Sequence, residues 1–257
     1  MAGTLSISLA LSGGAARGAF HLGVLAAMER QGVTIGAISG TSIGAVIAVG
    51  IGSGVSAFDL LRLFKSKAFR RAFKFNYFRK GLLRIDEKAS ILREIAPIER
   101  LEAMKIPTFV TCVDLHQGKI VRFHEGDSIK LAMASSALIP LFRPVAYQDY
   151  LLIDGGFMDN LPVEPLLDFP YPLWSINLFP PQNAVKKRSF TWMERALFLS
   201  MMASSKHQRD QSDVCINDGA VNEFGMFTFR EITHCFEAGY RVGSETILTF
   251  LDQQSII

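Results

Sequence analysis

Apolar positions along the chain follow two rhythms. Residues 4–11 (Thr-Leu-Ser-Ile-Ser-Leu-Ala-Leu) alternate and then run apolar, which predicts a strand entering a core. Over residues 18–30 the spacing changes. Ala19, Leu22, Gly23, Leu25 and Ala26 recur at helical intervals, and Gln31-Gly32 closes the helix. Residues 33–38 predict a second strand and residues 43–51 a helix of small apolar residues. Strand, glycine-rich turn, helix, strand, sharp turn and helix make a βαβα beginning, and this order favours an α/β fold with a parallel sheet covered by helices.

Further on, residues 107–115 and 119–123 read as strands joined by His116-Gln117-Gly118, and residues 129–137 as a helix stopped by the Pro140 to Pro144 region. Residues 150–154 and 173–178 predict two more strands, and residues 191–214 and 229–251 predict helices. No internal repeat or low-complexity linker interrupts the chain, so one domain over residues 1–257 is expected.

Composition narrows the class. Hydrophobic residues make up 49% and charged residues 20%, which excludes a wholly disordered chain. The uncharged run 31–58 is long enough to span a bilayer. Its glycines, serines and central turn motif predict a buried strand, turn and helix instead. The first apolar stretch has no basic residues before it, the first charge being Arg17, so it does not read as a signal peptide. Cys112, Cys215 and Cys235 show no metal-ligand spacing and cannot all pair within one chain. Reduced thiols, a cytoplasmic location and no metal or other cofactor are the expectation.

Three motifs carry chemistry. Gly40-Thr41-Ser42-Ile43-Gly44 follows an apolar strand and precedes an apolar helix, so it can present the Ser42 hydroxyl on a tight turn, with Gly40 and Gly44 giving room. A plain Gly-Ser turn is the competing reading of that motif. Gly13-Gly14-Ala15-Ala16-Arg17-Gly18 opens the first helix, and its N–H groups can converge on an anion. That anion is either an oxyanion or, less in keeping with the spacing, a nucleotide phosphate. Arg17 can hold the turn in shape, add positive potential or form a salt bridge. Asp154 ends an apolar strand and is followed by Gly155 and Gly156, which let the carboxylate approach another group closely. Partial burial would raise its basicity enough to accept a proton from Ser42. Asp159 reads as a turn or capping residue. His207 or His234 could complete a triad, but a Ser-Asp pair is the preferred arrangement, and His21 reads as packed.

These motifs, in this order, resemble those of the patatin-like phospholipases. The resemblance also takes in Ala134-Ser135-Ser136-Ala137-Leu138-Ile139-Pro140 and the run from Asp154 to Val163, and covers roughly residues 5–180. It implies a three-layer α/β/α fold with a mainly parallel central sheet. It also implies hydrolysis of lipid acyl esters through an acyl-enzyme, without a metal. Ser42 would be the nucleophile and Asp154 the base of a dyad, and an oxyanion hole would be formed by Gly13, Gly14, Ala15, Arg17 and Gly18. The length resembles that of short bacterial members. Leu138-Ile139 carries one residue more than the family's Ala-Ile-Pro. A lipid-binding or regulatory module that keeps the fold without turnover is the alternative.

The net charge of +3 is unevenly placed. Residues 62–93 hold eleven Lys/Arg against Asp86 and Glu87, or +9, leaving 16 basic and 22 acidic residues, or −6, for the rest. Residues 60–75 read as an amphipathic helix. Lys67, Arg70, Arg71 and Lys74, with Phe69 and Phe73 turned toward that basic side, would give peripheral contact with an anionic membrane. A solvated helix covering the sheet is the competing reading, and nucleic acid is not an expected partner because no recognisable module accompanies the charge.

Overall fold

The computed structural model describes residues 5–75, 83–85, 90–180 and 192–254. Its strands are β1 (Ser6–Leu11), β2 (Thr34–Thr41), β3 (Phe73–Phe75), β4 (Leu83–Ile85), β5 (Thr108–Asp114), β6 (Lys119–Phe123), β7 (Val145–Tyr147), β8 (Tyr150–Asp154), β9 (Leu173–Ile176) and β10 (Val214–Ile216). The α-helices are α1 (Gly18–Arg30), α2 (Ile43–Gly52), α3 (Ala57–Lys65), α4 (Lys67–Ala72), α5 (Ser90–Ile95), α6 (Ser128–Ser135), α7 (Trp192–Ser204), α8 (Lys206–Arg209) and α9 (Ile232–Gln254).

An 8-stranded sheet in the order β10-β9-β1-β2-β5-β8-β7, with β6 also on β5, forms the centre. Strands β10, β9, β1, β2 and β5 are parallel, whereas β6, β7 and β8 join by antiparallel pairing. The mostly parallel α/β sheet with helices around it matches the expected fold class. Alternation along β1 sends Ile7, Leu9 and Leu11 into a core shared with α1 and α9, and Ala10 into a second cluster with Leu161, Val163 and Leu166. Helices α1 and α9 meet backbone to backbone, since a Cβ on Gly23 would strike the Phe236 carbonyl. The parallel arrangement carries the C-terminal ends of β1, β2 and β9 to one edge, where ligands bind in open α/β sheets.

Two stretches depart from the sequence expectation. Residues 191–214 are not one helix: α7 ends at Ser204, α8 follows, and β10 pairs in parallel with β9 at the sheet's edge. Residues 60–75 are not one helix either. Ser66 is extended (φ −67°, ψ 151°), so α3 ends there and its hydroxyl accepts from the Phe69 N–H at 3.0 Å to start α4. The break resets the helical phase and turns Phe69 inward. Phe69 is 3% exposed and stacks on Phe64 with ring centroids 4.7 Å apart, which corrects the expectation of an exposed aromatic there. Lys67 is exposed, while the side chains of Arg70, Arg71, Phe73 and Lys74 lie outside the described residues. Among the described residues no helix is long and apolar enough to cross a membrane.

Candidate active site

The 112 residues between Ser42 and Asp154 are closed up by the register of β5. Strand β2 pairs with β5 as far as Thr41 opposite Thr111. Strand β8 pairs with β5 from Asp154 opposite Cys112. Since β6 covers the other edge of β5 from Val110 to Asp114, β2 and β8 must share one edge. They therefore meet head-on, with Ser42 leaving the end of one and Asp154 ending the other.

Ser42 sits in a strained turn. Its φ of 55° and ψ of −125° lie where an L-residue is rarely found, a cost of about 1–3 kcal/mol that the surroundings must hold. The turn is tight enough that a Cβ on Gly40 would run into the backbone of Gly44, which explains the two flanking glycines. The Ser42 N–H donates to Ser135 Oγ at 2.8 Å, and Ser135 Oγ donates to the Thr111 carbonyl at 2.6 Å. Ser42 precedes the first residue of α2, so the positive end of that helix faces it.

Asp154 is fully buried. Its Oδ1 accepts the Gly156 N–H at 2.8 Å, and Oδ2 has no hydrogen-bond partner among the described residues. Burial pushes the carboxyl up to about 7 from its ordinary 3.8. The Gly156 N–H and the nearby Ser42 hydroxyl pull the other way. Ser42 is thus near enough to favour the ionised carboxylate, yet the contact falls short of ordinary hydrogen-bond geometry, as is common before a substrate binds. None of the five histidines hydrogen-bonds to Ser42 or Asp154. His207 and His234 are exposed, and buried His21 holds the Ser12 carbonyl at 2.8 Å.

The glycine-rich turn lies against both groups. A Cβ on Gly13 would come within 2.6 Å of Asn160 Oδ1 and 3.1 Å of Ser42 Cβ, so the glycine keeps the turn close to both. Several of its amides hold the loop itself. Gly13 N–H donates to the Asn160 carbonyl at 3.2 Å, Ala16 to Met226 at 2.8 Å, Arg17 to Gly14 at 3.2 Å, and Gly18 back into the turn. Among the described residues the N–H groups of Gly14 and Ala15 are left unengaged, and Ala15 takes a left-handed φ of 51°. Arg17 is buried and pairs with no carboxylate among the described residues. Its guanidinium donates to the carbonyls of Phe224 at 2.9 Å and Leu178 at 3.1 Å, tying the turn to two distant loops. Burial lowers it to about 10, which leaves it charged at neutral pH.

Sequence reasoning missed several supports. Asp159, read as a turn or capping residue, is 1% exposed and pairs its Oδ2 with Arg122 Nη2 on β6 at 2.7 Å. Its carbonyl accepts from Thr41 Oγ1 at 2.8 Å and its N–H donates to the Gly155 carbonyl at 2.8 Å, so it clasps the residues beside Ser42 and Asp154. Only the proximity of Asp159 to the Asp154 motif could have flagged it. Ser135 lies in the Ala134–Pro140 stretch of the resemblance, but the sequence does not reveal that it bridges Ser42 and Thr111.

The class so defined is an α/β protein with a serine on a strand–turn–helix elbow, facing a buried carboxylate at the C-terminal edge of the sheet. A family model described as patatin-like phospholipase matches residues 9–167, and the chain belongs to that family. It is similar to an uncharacterized NTE family protein of Mycobacterium tuberculosis, 33% identical over 167 residues, covering 62% of this chain and 45% of that one. It is also similar to lysophospholipase NTE1 of Mycosarcoma maydis, 29% identical, covering 95% of this chain and 15% of that one. The chain therefore spans less than half the length of these relatives. Among solved structures, VipD from Legionella pneumophila matches with a TM-score of 0.44 at 16% identity, covering 66% of this chain and 49% of that one.

Proposed function

We propose that this chain hydrolyses acyl esters of lipids, with Ser42 as nucleophile and Asp154 as its base. The observation that carries the reading is the head-on meeting of β2 and β8, which sets a strained serine against a fully buried carboxylate. In the acylation step Ser42 Oγ attacks the ester carbonyl carbon while its proton passes to Asp154. The unengaged amides of Gly14 and Ala15 receive the developing oxyanion, each such donor being worth roughly 10²–10³ in rate. Collapse expels the alcohol, which takes the proton from Asp154, and leaves an acyl group on Ser42. A carboxyl held near 7 suits both halves of the cycle, being basic enough to accept a proton and acidic enough to return it at neutral pH.

Relatives named lysophospholipases direct the choice of substrate toward phospholipid or lysophospholipid esters. Peripheral contact with anionic lipid rests in this reading on the basic charge of residues 62–93, without an exposed Phe69. The test pairs a fluorophosphonate probe with release of fatty acid from lysophosphatidylcholine. Wild type should be labelled and should turn over, and Ser42→Ala should do neither. A folded wild type that resists the probe and releases no acid from a panel of lipid esters would refute the reading.

A further inference from the structure

Asn160 is fully buried, and the orientation of its amide follows from its neighbour. Ser205 Oγ donates its one proton to the Met201 carbonyl at 2.8 Å, so toward Asn160 it can only accept. Asn160 Nδ2 fills that role at 3.2 Å, which turns Oδ1 the opposite way. There Oδ1 has no donor among the described residues. It lies 2.6 Å from the point a Cβ on Gly13 would occupy and 3.0 Å from the same point on Gly156. The Gly13 point is 3.1 Å from Ser42 Cβ, and the Gly156 point is 3.0 Å from Asp154 Oδ1. Bare Cα atoms at Gly13 and Gly156 thus let the Asn160 oxygen lie close to both Ser42 and Asp154.

Two buried acceptors without donors, Asn160 Oδ1 and Asp154 Oδ2, belong to one small site. Neither can satisfy the other, because both are acceptors at the pH where Asp154 is ionised. A water molecule carries two O–H groups and satisfies both. Acylation requires no such molecule, whereas release of the acyl group requires a water aimed at the carbonyl carbon.

We propose that Asn160 Oδ1 and Asp154 together orient the water that hydrolyses the acyl-enzyme, an inference that rests on the Ser42–Asp154 reading above. The water oxygen bonds to the acyl carbon as one proton passes to Asp154. The other proton stays on the oxygen, held by Asn160 Oδ1. The bond from Ser42 Oγ to the acyl carbon then breaks, Oγ recovers the proton from Asp154, and the carboxylic acid leaves. Asn160 accepts a hydrogen bond throughout and exchanges no proton.

The test separates the two halves of the cycle using p-nitrophenyl butyrate. In Asn160→Ala, steady-state turnover should fall about tenfold for loss of one hydrogen bond to the attacking water. The burst of p-nitrophenol and the rate of fluorophosphonate labelling should fall much less, and intact mass should show butyryl-enzyme accumulating. Labelling and turnover falling together, or neither changing, would overturn the proposal. Asn160→Asp, nearly isosteric, provides the second arm should the alanine variant fail to fold. A second carboxylate beside Asp154 disfavours its ionisation, so the pH at which turnover rises should move up. Because the added charge alone would shift burst and turnover alike, this arm reads their ratio: turnover falling relative to the burst supports the water site, and an unchanged ratio overturns it. A wild type that is neither labelled nor active removes the Ser42–Asp154 reading and this inference with it. An active wild type whose acyl-enzyme does not accumulate in Asn160→Ala removes this inference alone.

Discussion

Replacing Asp154 by asparagine removes one titration and changes little else, since Asn keeps an oxygen for the Gly156 N–H. The native carboxyl holds its proton up to about 7, against 3.8 for the ordinary group. Between those values the unfolded chain has lost a proton that the native chain still binds, so stability falls as pH rises and levels off above about 7. Three pH units at 1.4 kcal/mol each give a loss of about 4 kcal/mol. Asp154→Asn escapes that loss. It is expected to match wild type below the ordinary carboxyl range and to be more stable by about 4 kcal/mol at alkaline pH, while losing activity. For a chain of this size that is a rise in Tm of roughly 8 °C. Thermal unfolding of both proteins across the acid-to-alkaline range, alongside the wild-type rate profile, makes the comparison. The wild-type rate should rise with an inflection near 7. A Tm difference that stays constant with pH would refute the reasoning, because it would mean that Asp154 titrates alike in the native and unfolded chains.

Ser42→Gly should be more stable than Ser42→Ala by about 1 kcal/mol in urea unfolding, because glycine relieves the strain at φ 55°. Removing Arg122 leaves the buried Asp159 carboxylate without its cation. Arg122→Met should therefore cost about 3–5 kcal/mol, with part of the loss recovered in the double variant with Asp159→Asn. His21 has the opposite pH sign to Asp154. Burial holds it down to about 4 from 6.5, so the unfolded chain gains a proton first and stability falls as pH drops through that window. The loss amounts to about 3 kcal/mol, and His21→Asn should lack that dependence when urea midpoints are compared on either side of the window.

Much of the first half of the fold was legible because its elements are long and strongly patterned. The expected helix over 18–30 is α1 to the residue, and the expected strands over 119–123 and 150–154 are β6 and β8. Strands β7 and β10 span three residues each, too few for any periodicity to show. The strand state of β10 comes from pairing Val214 with Trp174, a contact the local sequence does not encode. Phe69 faces the core because Ser66 breaks the continuous helix that the periodicity predicts. At the site the same division holds. Ser42, Asp154 and the glycine-rich turn announce themselves because chemistry and backbone sterics demand particular residues at fixed spacings. Ser135 and Asn160 lie in stretches that the resemblance takes in, but their bonds reach partners 93 and 45 positions away, so the sequence does not give their contacts.

What aligns the two motifs is a single peptide of β5. The Thr111 carbonyl accepts from Ser135 Oγ, which in turn receives the Ser42 N–H, so the Ser42 turn is fixed to that peptide. A Cβ on Gly155 would collide with the same carbonyl, so the residue after the carboxylate packs directly on it. Thr41 opposite Thr111 and Asp154 opposite Cys112 complete the reference from either side. A slip of one residue in either pairing would move its group by about 3.3 Å, more than a proton transfer tolerates, and would turn the strand's core face outward. Core packing on both flanks of the sheet therefore enforces the register that the proposed chemistry needs. The distance between Ser42 and Asp154 is set by the fold's stability and not by the motifs alone.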